Sequence, residues 1–318
     1  MNDKERLSQI VSTAKLYFND NKTQSEIASM LGVSRQLVGN YIKEAHELGI
    51  VKVNIIDPKE QCVEKSKIDA LCKLYNLNSI EVLQFTNNED LNTKLIIQPL
   101  NKYIKSRNQV FTSIGIGWGD IILQAIEELE ELNNHDKLSG TVVPIIGNAY
   151  ICKRAYHTNE LNRMIERKTG LIGRYLYAPA VCLDKNEKQK YLELEQTKEV
   201  YSKYKSLTDI LIQVHDTIEP EINTIGWKDR RTMHSNKCIG FILGYFYDIN
   251  GNILDNNLNN VIQIPLEDLK RTPNRVGIIG NNISLSAILG ALRSGILTDI
   301  CISEKMFNEL LKISQIKL

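Results

Sequence analysis

Ser34, Arg35, Gln36 and Asn40 stand close together in the chain, and each carries a side chain suited to reading a base edge. Arginine matches O6 and N7 of guanine, while asparagine and glutamine match N6 and N7 of adenine. Thr23, Gln24 and Lys43 lie nearby and suit phosphate oxygens, which set register without reading sequence. A second set of residues suits a small polar ligand. Ser113-Ile114-Gly115-Ile116-Gly117-Trp118-Gly119-Asp120 reads as a strand running directly into a helix, so its amides gather at the helix's positive end. Gly147-Asn148 and Gly280-Asn281-Asn282 occupy similar corners. The loop lacks the ribose-binding context of a dinucleotide fingerprint, and each glycine taken alone is explained equally by a tight turn. His215-Asp216 invites acid–base chemistry, but no clear nucleophile or third group accompanies it. No catalytic residue is assigned.

The base-reading set needs a helix to present it. Apolar residues Leu7, Ile10, Val11, Ala14, Leu16, Tyr17 and Phe18 recur at helical spacing before Asn19-Asp20-Asn21 breaks the chain. Thr23-Gln24-Ser25-Glu26 is a capping box opening a second helix, with Ile27, Ala28 and Leu31 inward and Gly32 ending it in a left-handed turn. Ser34 then caps a third helix that buries Leu37, Val38, Tyr41, Ile42 and Ala45 and leaves Arg35, Gln36, Asn40 and Lys43 outward. Helix, glycine turn, helix is the helix-turn-helix pattern, whose second helix offers its N-terminal residues to the major groove. Ile50 to Ile55 alternates like a short strand, as in the wing of a winged variant. Residues 1–57 hold seven basic and seven acidic side chains, so this segment is not basic as a whole; Val33 to Lys43, however, has two cations and no carboxylate. A helical protein-interaction module is the competing reading.

Asp57-Pro58 marks a break, giving a DNA-binding domain over 1–57 and a larger domain over 58–318. Lys59 to Tyr75 reads as a polar linking helix, and strand and helix patterns alternate beyond it, as in a layered α/β domain. Expected strands are Ile80–Phe85, Val110–Ile116, Thr141–Ile146, Arg174–Tyr177, Asp209–Val214, Val261–Ile264, Arg275–Ile279 and Asp299–Ile302. Expected helices are Leu91–Lys105, Gly119–Leu132, Thr158–Lys168, Glu187–Lys205, Leu266–Leu269, Leu285–Ser294 and Glu304–Ile313. Ligands of open α/β sheets gather at the carboxyl ends of strands, so the three glycine corners are expected to share one crevice.

Of the 318 residues, 42% are apolar and 24% charged, with Lys+Arg at 39 against Asp+Glu at 38, so any positive surface must be local. The polar start and the shortness of the longest apolar run, Cys238 to Tyr247, point to a cytoplasmic protein with no membrane partner. Six scattered cysteines without a C-x-x-C pair read as reduced thiols, and no metal or cofactor is expected.

The chain resembles the SorC/DeoR-type sugar-binding transcriptional regulators. The resemblance rests on Thr23-Gln24-Ser25-Glu26-Ile27-Ala28 and Leu31-Gly32-Val33-Ser34-Arg35 in the first part. Gly115-Ile116-Gly117-Trp118-Gly119, Val143-Pro144-Ile145-Ile146-Gly147 and Tyr175-Leu176-Tyr177-Ala178-Pro179-Ala180 carry it further, with Gly244-Tyr245-Phe246-Tyr247-Asp248 and Gly290-Ala291-Leu292-Arg293-Ser294-Gly295 near the end. It implies a Rossmann-like effector domain similar to sugar-phosphate isomerases and deaminases, homodimers or homotetramers on double-stranded palindromic operator DNA, and a sugar-like effector. The implied effector contacts are Gly117, Trp118, Gly119, Asp120, Gly147, Asn148, His157, Asn159, Asp216, Phe241, Gly280, Asn281, Asn282 and Ser284. Several depart from the family pattern: Asp120 and Ile121 stand where members carry Arg or Thr, Phe241 where many carry an acid, Ser284 in place of a lysine, and Asn148 in place of a second glycine. A carboxylate repels a phosphate, so Asp120 weighs against a phosphorylated effector. The alternatives are an isomerase- or deaminase-like enzyme with an accessory DNA module, and a regulator whose pocket has degenerated.

Overall fold

The computed structural model describes residues 3–51, 58–83, 112–129, 131–133, 137–150, 153–217, 237–254, 260–280 and 283–314, with side chains of 3–5 and 58–64 left aside. The chain forms two compact units, residues 1–63 and 64–318.

The first unit is built on helices α1 (Asp3–Phe18), α2 (Gln24–Leu31) and α3 (Arg35–Glu47). Its turns follow from local chemistry. Thr23 accepts from the Glu26 amide, while the Glu26 carboxylate accepts from the Thr23 amide at 2.8 Å and from the Thr23 hydroxyl, and these last two bonds hold the Glu26 carboxyl below the usual carboxylate range. Gly32 takes the left-handed conformation (φ 65°) and Ser34 accepts from the Leu37 amide at 3.2 Å. Ile27, Ala28 and Val38 pack with Leu16, Leu31 and Ile42 where α2 meets α3. Ile10, Ala14, Tyr41 and Ala45 close the α1–α3 contact, with the Tyr41 hydroxyl donating to Gln9 at 2.8 Å. The expected wing lies mostly on residues 52–57, outside the described residues.

The helix α4 (Pro58–Tyr75) leads to the α/β unit. Its strands are β1 (Ser79–Leu83), β2 (Thr112–Ile116), β3 (Gly140–Pro144), β4 (Ile172–Gly173), β5 (Asp209–Asp216), β6 (Gly240–Ile242), β7 (Tyr245–Tyr247), β8 (Asn274–Ile279) and β9 (Asp299–Ser303). Among them run α5 (Asp120–Glu127), α6 (Thr158–Thr169), α7 (Lys185–Glu193), α8 (Glu195–Tyr204), α9 (Leu266–Arg271), α10 (Leu285–Arg293) and α11 (Glu304–Ile313). The sheet order is β1-β9-β8-β5-β2-β3-β4, all parallel, with the β6–β7 hairpin attached antiparallel to β5. Successive side chains of a strand point to opposite faces, and here they enter different cores. Ile210, Ile212 and Val214 join a cluster with residues of α8, α10 and α11, whereas Leu211 joins one with Ile122 and Ile126 of α5 and Leu161 and Ile165 of α6. Helices therefore cover both faces, and all eight residues of β5 are buried.

Four expectations are corrected. The strand expected at Arg174–Tyr177 is only Ile172–Gly173, because side chains of α6 replace a neighbouring strand: Asn162 donates to the Arg174 carbonyl at 2.7 Å and Asn159 accepts from the Leu176 amide at 2.9 Å. Val261–Ile264 forms isolated bridges, Val261 to Val181 and Gln263 to Ile146, rather than a strand. The helix Glu187–Lys205 is two helices, broken at Leu194 (φ −65°, ψ 133°). The helix Gly119–Leu132 ends at Glu127. The expected helix Leu91–Lys105 lies outside the described residues. No helix among the described residues is long and apolar enough to cross a membrane.

One buried acid at the amino end of the central strand makes stability depend on pH. Asp209 is 1% exposed; its carboxyl accepts from Asn274 Nδ2 at 2.9 Å and from the Thr208 hydroxyl. Burial first, and the charge of Asp299 to a lesser degree, push it up to about 6 from 3.8, against the opposing hydrogen bond from Asn274. The folded state therefore holds this proton more tightly than the unfolded chain. Stability falls as pH rises from about 4 to about 6, and the cost is fully present above that. Asp209→Asn is expected to stabilise the α/β unit by about 2 kcal/mol at pH 8 and by nearly nothing at pH 4. Urea denaturation at the two pH values measures this, and an equal change at both would refute the assignment.

Candidate DNA-reading helix and strand-end crevice

At about 100° per residue, Arg35, Gln36, Asn40 and Lys43 fall within one arc of about 140° on α3. All four are exposed, as is Ser34, while Val38, Tyr41 and Ala45 on the other side are buried. The sequence thus places Arg35, Gln36, Asn40 and Lys43 on one exposed face. Two members of the set are already engaged. Ser34 Oγ caps α3, and the Thr23 hydroxyl donates to the Glu26 carboxylate at 2.8 Å. Gln24 is half-buried on α2, its Oε1 lying toward Gly39 of α3. Glu47 shares the arc with Lys43 and sits 3.7 Å from its ammonium, a pairing the sequence reading did not consider. Both partners are well exposed, so the pair is weak and leaves Lys43 able to face a phosphate.

At the carboxyl ends of β2, β5 and β8, two of the three glycine corners meet. Gly117 donates its amide to the Leu211 carbonyl of β5, and a Cβ on Gly280 would lie 2.7 Å from Ile121 Cδ1 in the first turn of α5. Between them stands Gln213 of β5, whose Oε1 accepts from the Ile121 amide at 3.0 Å. Gly119 (φ 140°) has to be glycine here, since a Cβ would fall 2.1 Å from the same oxygen. Three residues further along β5, Asp216 accepts from the Ser284 amide at 2.8 Å at the start of α10, where the Ser284 hydroxyl also accepts from Ala287. Gln213 was absent from the sequence reading, because its contact spans 92 residues of chain.

The centre is aromatic. His215 stacks on Phe241 of β6 with centroids 4.7 Å apart and planes 11° apart, and Phe241 stacks on Phe246 at 5.2 Å. Tyr156 lies 6.5 Å from His215 and 5.7 Å from Trp118. Trp118, Tyr156, His215 and Phe241 are all fully buried, and Trp118, Tyr156 and Phe241 belong to the larger apolar core. At the rim, Asp120 faces Lys153 at 3.8 Å, and Arg154 lies between Glu127 and Glu160.

The third corner is tied to α6. Asn148 Oδ1 accepts from the Asn159 amide at 3.3 Å and its Nδ2 donates to the Leu176 carbonyl, which also receives Asn159 Nδ2 at 3.1 Å. Gly147 is buried against the backbone of Ala178 and Pro179. Both asparagines therefore hold the segment after β4 in place. His157 is half-buried at the N-cap of α6 and makes no side-chain capping bond. Asn281 and Asn282 lie outside the described residues.

A parallel sheet covered on both faces, with glycine corners converging at its carboxyl end and a separate helix-turn-helix, is the architecture that the comparisons with known proteins match. A family model described as "Putative sugar-binding domain" matches residues 59–312. The chain belongs to this family. Two curated relatives span almost the same length: the transcriptional regulator LsrR of Escherichia coli K12, 24% identical and covering 90% of this chain and 89% of its own, and the deoxyribonucleoside regulator of Bacillus subtilis, 22% identical and covering 91% and 93%. Among solved structures, the full-length sorbitol operon regulator SorC of Klebsiella pneumoniae superposes with a TM-score of 0.83 at 22% identity, over 98% of this chain and all of that one. A DeoR family regulator from Listeria monocytogenes gives 0.68 at 22% identity over 77% of this chain and 98% of that one. The family is that of the SorC/DeoR-type sugar-binding transcriptional regulators, and the α/β unit has their fold.

Proposed function

We propose that this protein is a cytoplasmic DNA-binding transcriptional regulator, not an enzyme, whose operator affinity is set by a small sugar-like effector. Residues 1–57 bind double-stranded operator DNA, and residues 58–318 bind effector and hold two or four copies of the chain together. The observation that carries this reading is the exposed arc of Arg35, Gln36, Asn40 and Lys43 on a helix whose opposite face is buried. A single recognition helix reads one half-site, so a palindromic operator requires a paired copy. The effector occupies the crevice above β2, β5 and β8, its binding alters packing between copies, and the spacing of paired recognition helices changes with it. The reading of an enzyme with an accessory DNA module is not favoured, since His215 and Asp216 are buried and engaged in stacking and capping.

The test is a pair of substitutions on the arc. Arg35→Ala is expected to cost about 1–3 kcal/mol on the operator and to relax preference at one base position. Lys43→Ala is expected to weaken binding to operator and random DNA alike and to lower the salt slope by about one. Fluorescence anisotropy across salt concentrations reads both effects. Equal losses on operator and random DNA for Arg35→Ala remove that residue from the readers, and unchanged DNA binding in both variants overturns the proposal.

A further inference from the structure

We infer that Gly39 is a specificity-determining residue: its missing side chain is a notch in α3 where the duplex comes against the helix backbone, so that Arg35 and Gln36 reach base edges. The inference rests on α3 being the DNA-reading helix. Glycine inside a helix is a cost, since it loses more backbone freedom on folding than alanine and is the poorest helix former after proline. Two internal reasons commonly account for such a glycine, and neither applies to Gly39. Its backbone is not in the left-handed region. A Cβ on it would have one neighbour within 4 Å among the described residues, beyond its own helix backbone: Gln24 Oε1 at 3.9 Å, an ordinary van der Waals contact. Gly290, inside α10, shows the contrast, because a Cβ there would fall 2.6 Å from the Asp248 carbonyl oxygen. Packing explains Gly290 and leaves Gly39 to be explained by something outside the fold.

The surroundings of the notch suit a polyanion. At about 100° per residue, Gly39 lies about 40° round the helix from Arg35, inside the arc that ends at Asn40. Arg35 stands four residues before it and Lys43 four after, so the three form one row along α3 with a cation about one turn to either side. Both cations are exposed, and Val33 to Lys43 contains no carboxylate. The acid paired with Lys43, Glu47, lies beyond it toward the end of the helix. Gln24 borders the notch from α2 with a carboxamide that can both donate and accept. A side chain at position 39 would project between Arg35 and Lys43 and hold the helix off the groove floor. Even a methyl group would do so by more than the about 0.5 Å over which hydrogen-bond lengths range, and a bidentate contact to a base edge would be lost.

The experiment uses the full chain and two probes: a duplex that the wild-type protein selects from a pool of random sequence, and a scrambled duplex of the same composition. Gly39→Ala is expected to weaken binding to the selected duplex by about ten-fold and to the scrambled one by about two-fold or less. Gly39→Leu is expected to abolish the preference between them. Hydrogen exchange separates this effect from damage to the fold. The α3 amides of Gly39→Ala are expected to exchange about two- to five-fold more slowly than those of the wild type, because alanine firms the same helix that it holds away from DNA. A Gly39→Ala variant that binds the selected duplex as tightly as the wild type overturns the inference, as do equal losses on the two duplexes or faster exchange in α3. A change in molar mass by light scattering also overturns it, by placing a second copy of the chain at the notch. Failure of the DNA-binding reading itself looks different: the wild-type protein then enriches no sequence from the pool, and the inference falls with it.

Discussion

Replacement of Gly140 by alanine is expected to destabilise the α/β unit by more than about 4 kcal/mol. Gly140 opens β3 at φ 144°, a conformation L side chains rarely adopt, and it pairs directly with Thr112 of β2. A Cβ there would lie 1.8 Å from the Thr112 carbonyl oxygen and within 3 Å of its carbonyl carbon and amide nitrogen. All three are backbone atoms of a central strand, so no rotamer change relieves the contact and the ladder itself has to open. A cost above about 4 kcal/mol belongs to this kind of change, against a total stability of about 5–15 kcal/mol for a domain. Circular dichroism during urea titration measures it. A variant unfolding within about 1 kcal/mol of wild type would show that β2 and β3 can separate at this point at little cost, and would refute the argument.

Phe241→Ala is expected to cost about 3–5 kcal/mol, the range for emptying an aromatic site in a packed core. The ring is completely buried and sandwiched between His215 and Phe246. Removing it leaves the His215 ring with one face open and separates β6 from the packing beneath it. Phe241→Leu fills most of the volume and is expected to cost less than half as much. The two urea midpoints, read together, distinguish a packed core from a pocket wall. An alanine variant as stable as wild type would place Phe241 on the lining of a collapsible space.

The elements that sequence revealed are those whose causes are local. The capping box at Thr23, the left-handed Gly32 and the cap at Ser34 each depend on residues three or four apart, and each is present in the structure. Strands β5 and β8 were readable, as Asp209–Val214 and Arg275–Ile279, and the structure has strands at both places. The β6–β7 hairpin was not. Its residues form one apolar run without alternation, and the two-residue turn Leu243-Gly244 puts a leucine, not a usual turn former, at φ 54° in its first position. The break at Leu194 has no proline or glycine to mark it, and nothing in the structure explains why it falls there. At the candidate site, the glycine corners were legible, whereas the groups that fill them were not. Gln213 meets Ile121, and Asp216 meets Ser284, only because β5 lies between β2 and β8 in the finished sheet.

The hairpin also ties this end of the sheet to its neighbouring helix. Beyond Leu211, β5 no longer pairs with β2, and from Val214 to Asp216 its partner on that side is β6. Tyr247 of β7 donates to the Ala287 carbonyl of α10, and Gly290 of α10 leaves no room for a Cβ against the Asp248 carbonyl. Hairpin and helix are therefore bolted into one block, wedged into the fork where two strands part company. Tightly packed interfaces of this kind switch between discrete arrangements rather than yielding gradually. Displacing either the hairpin or the helix therefore displaces the other with it.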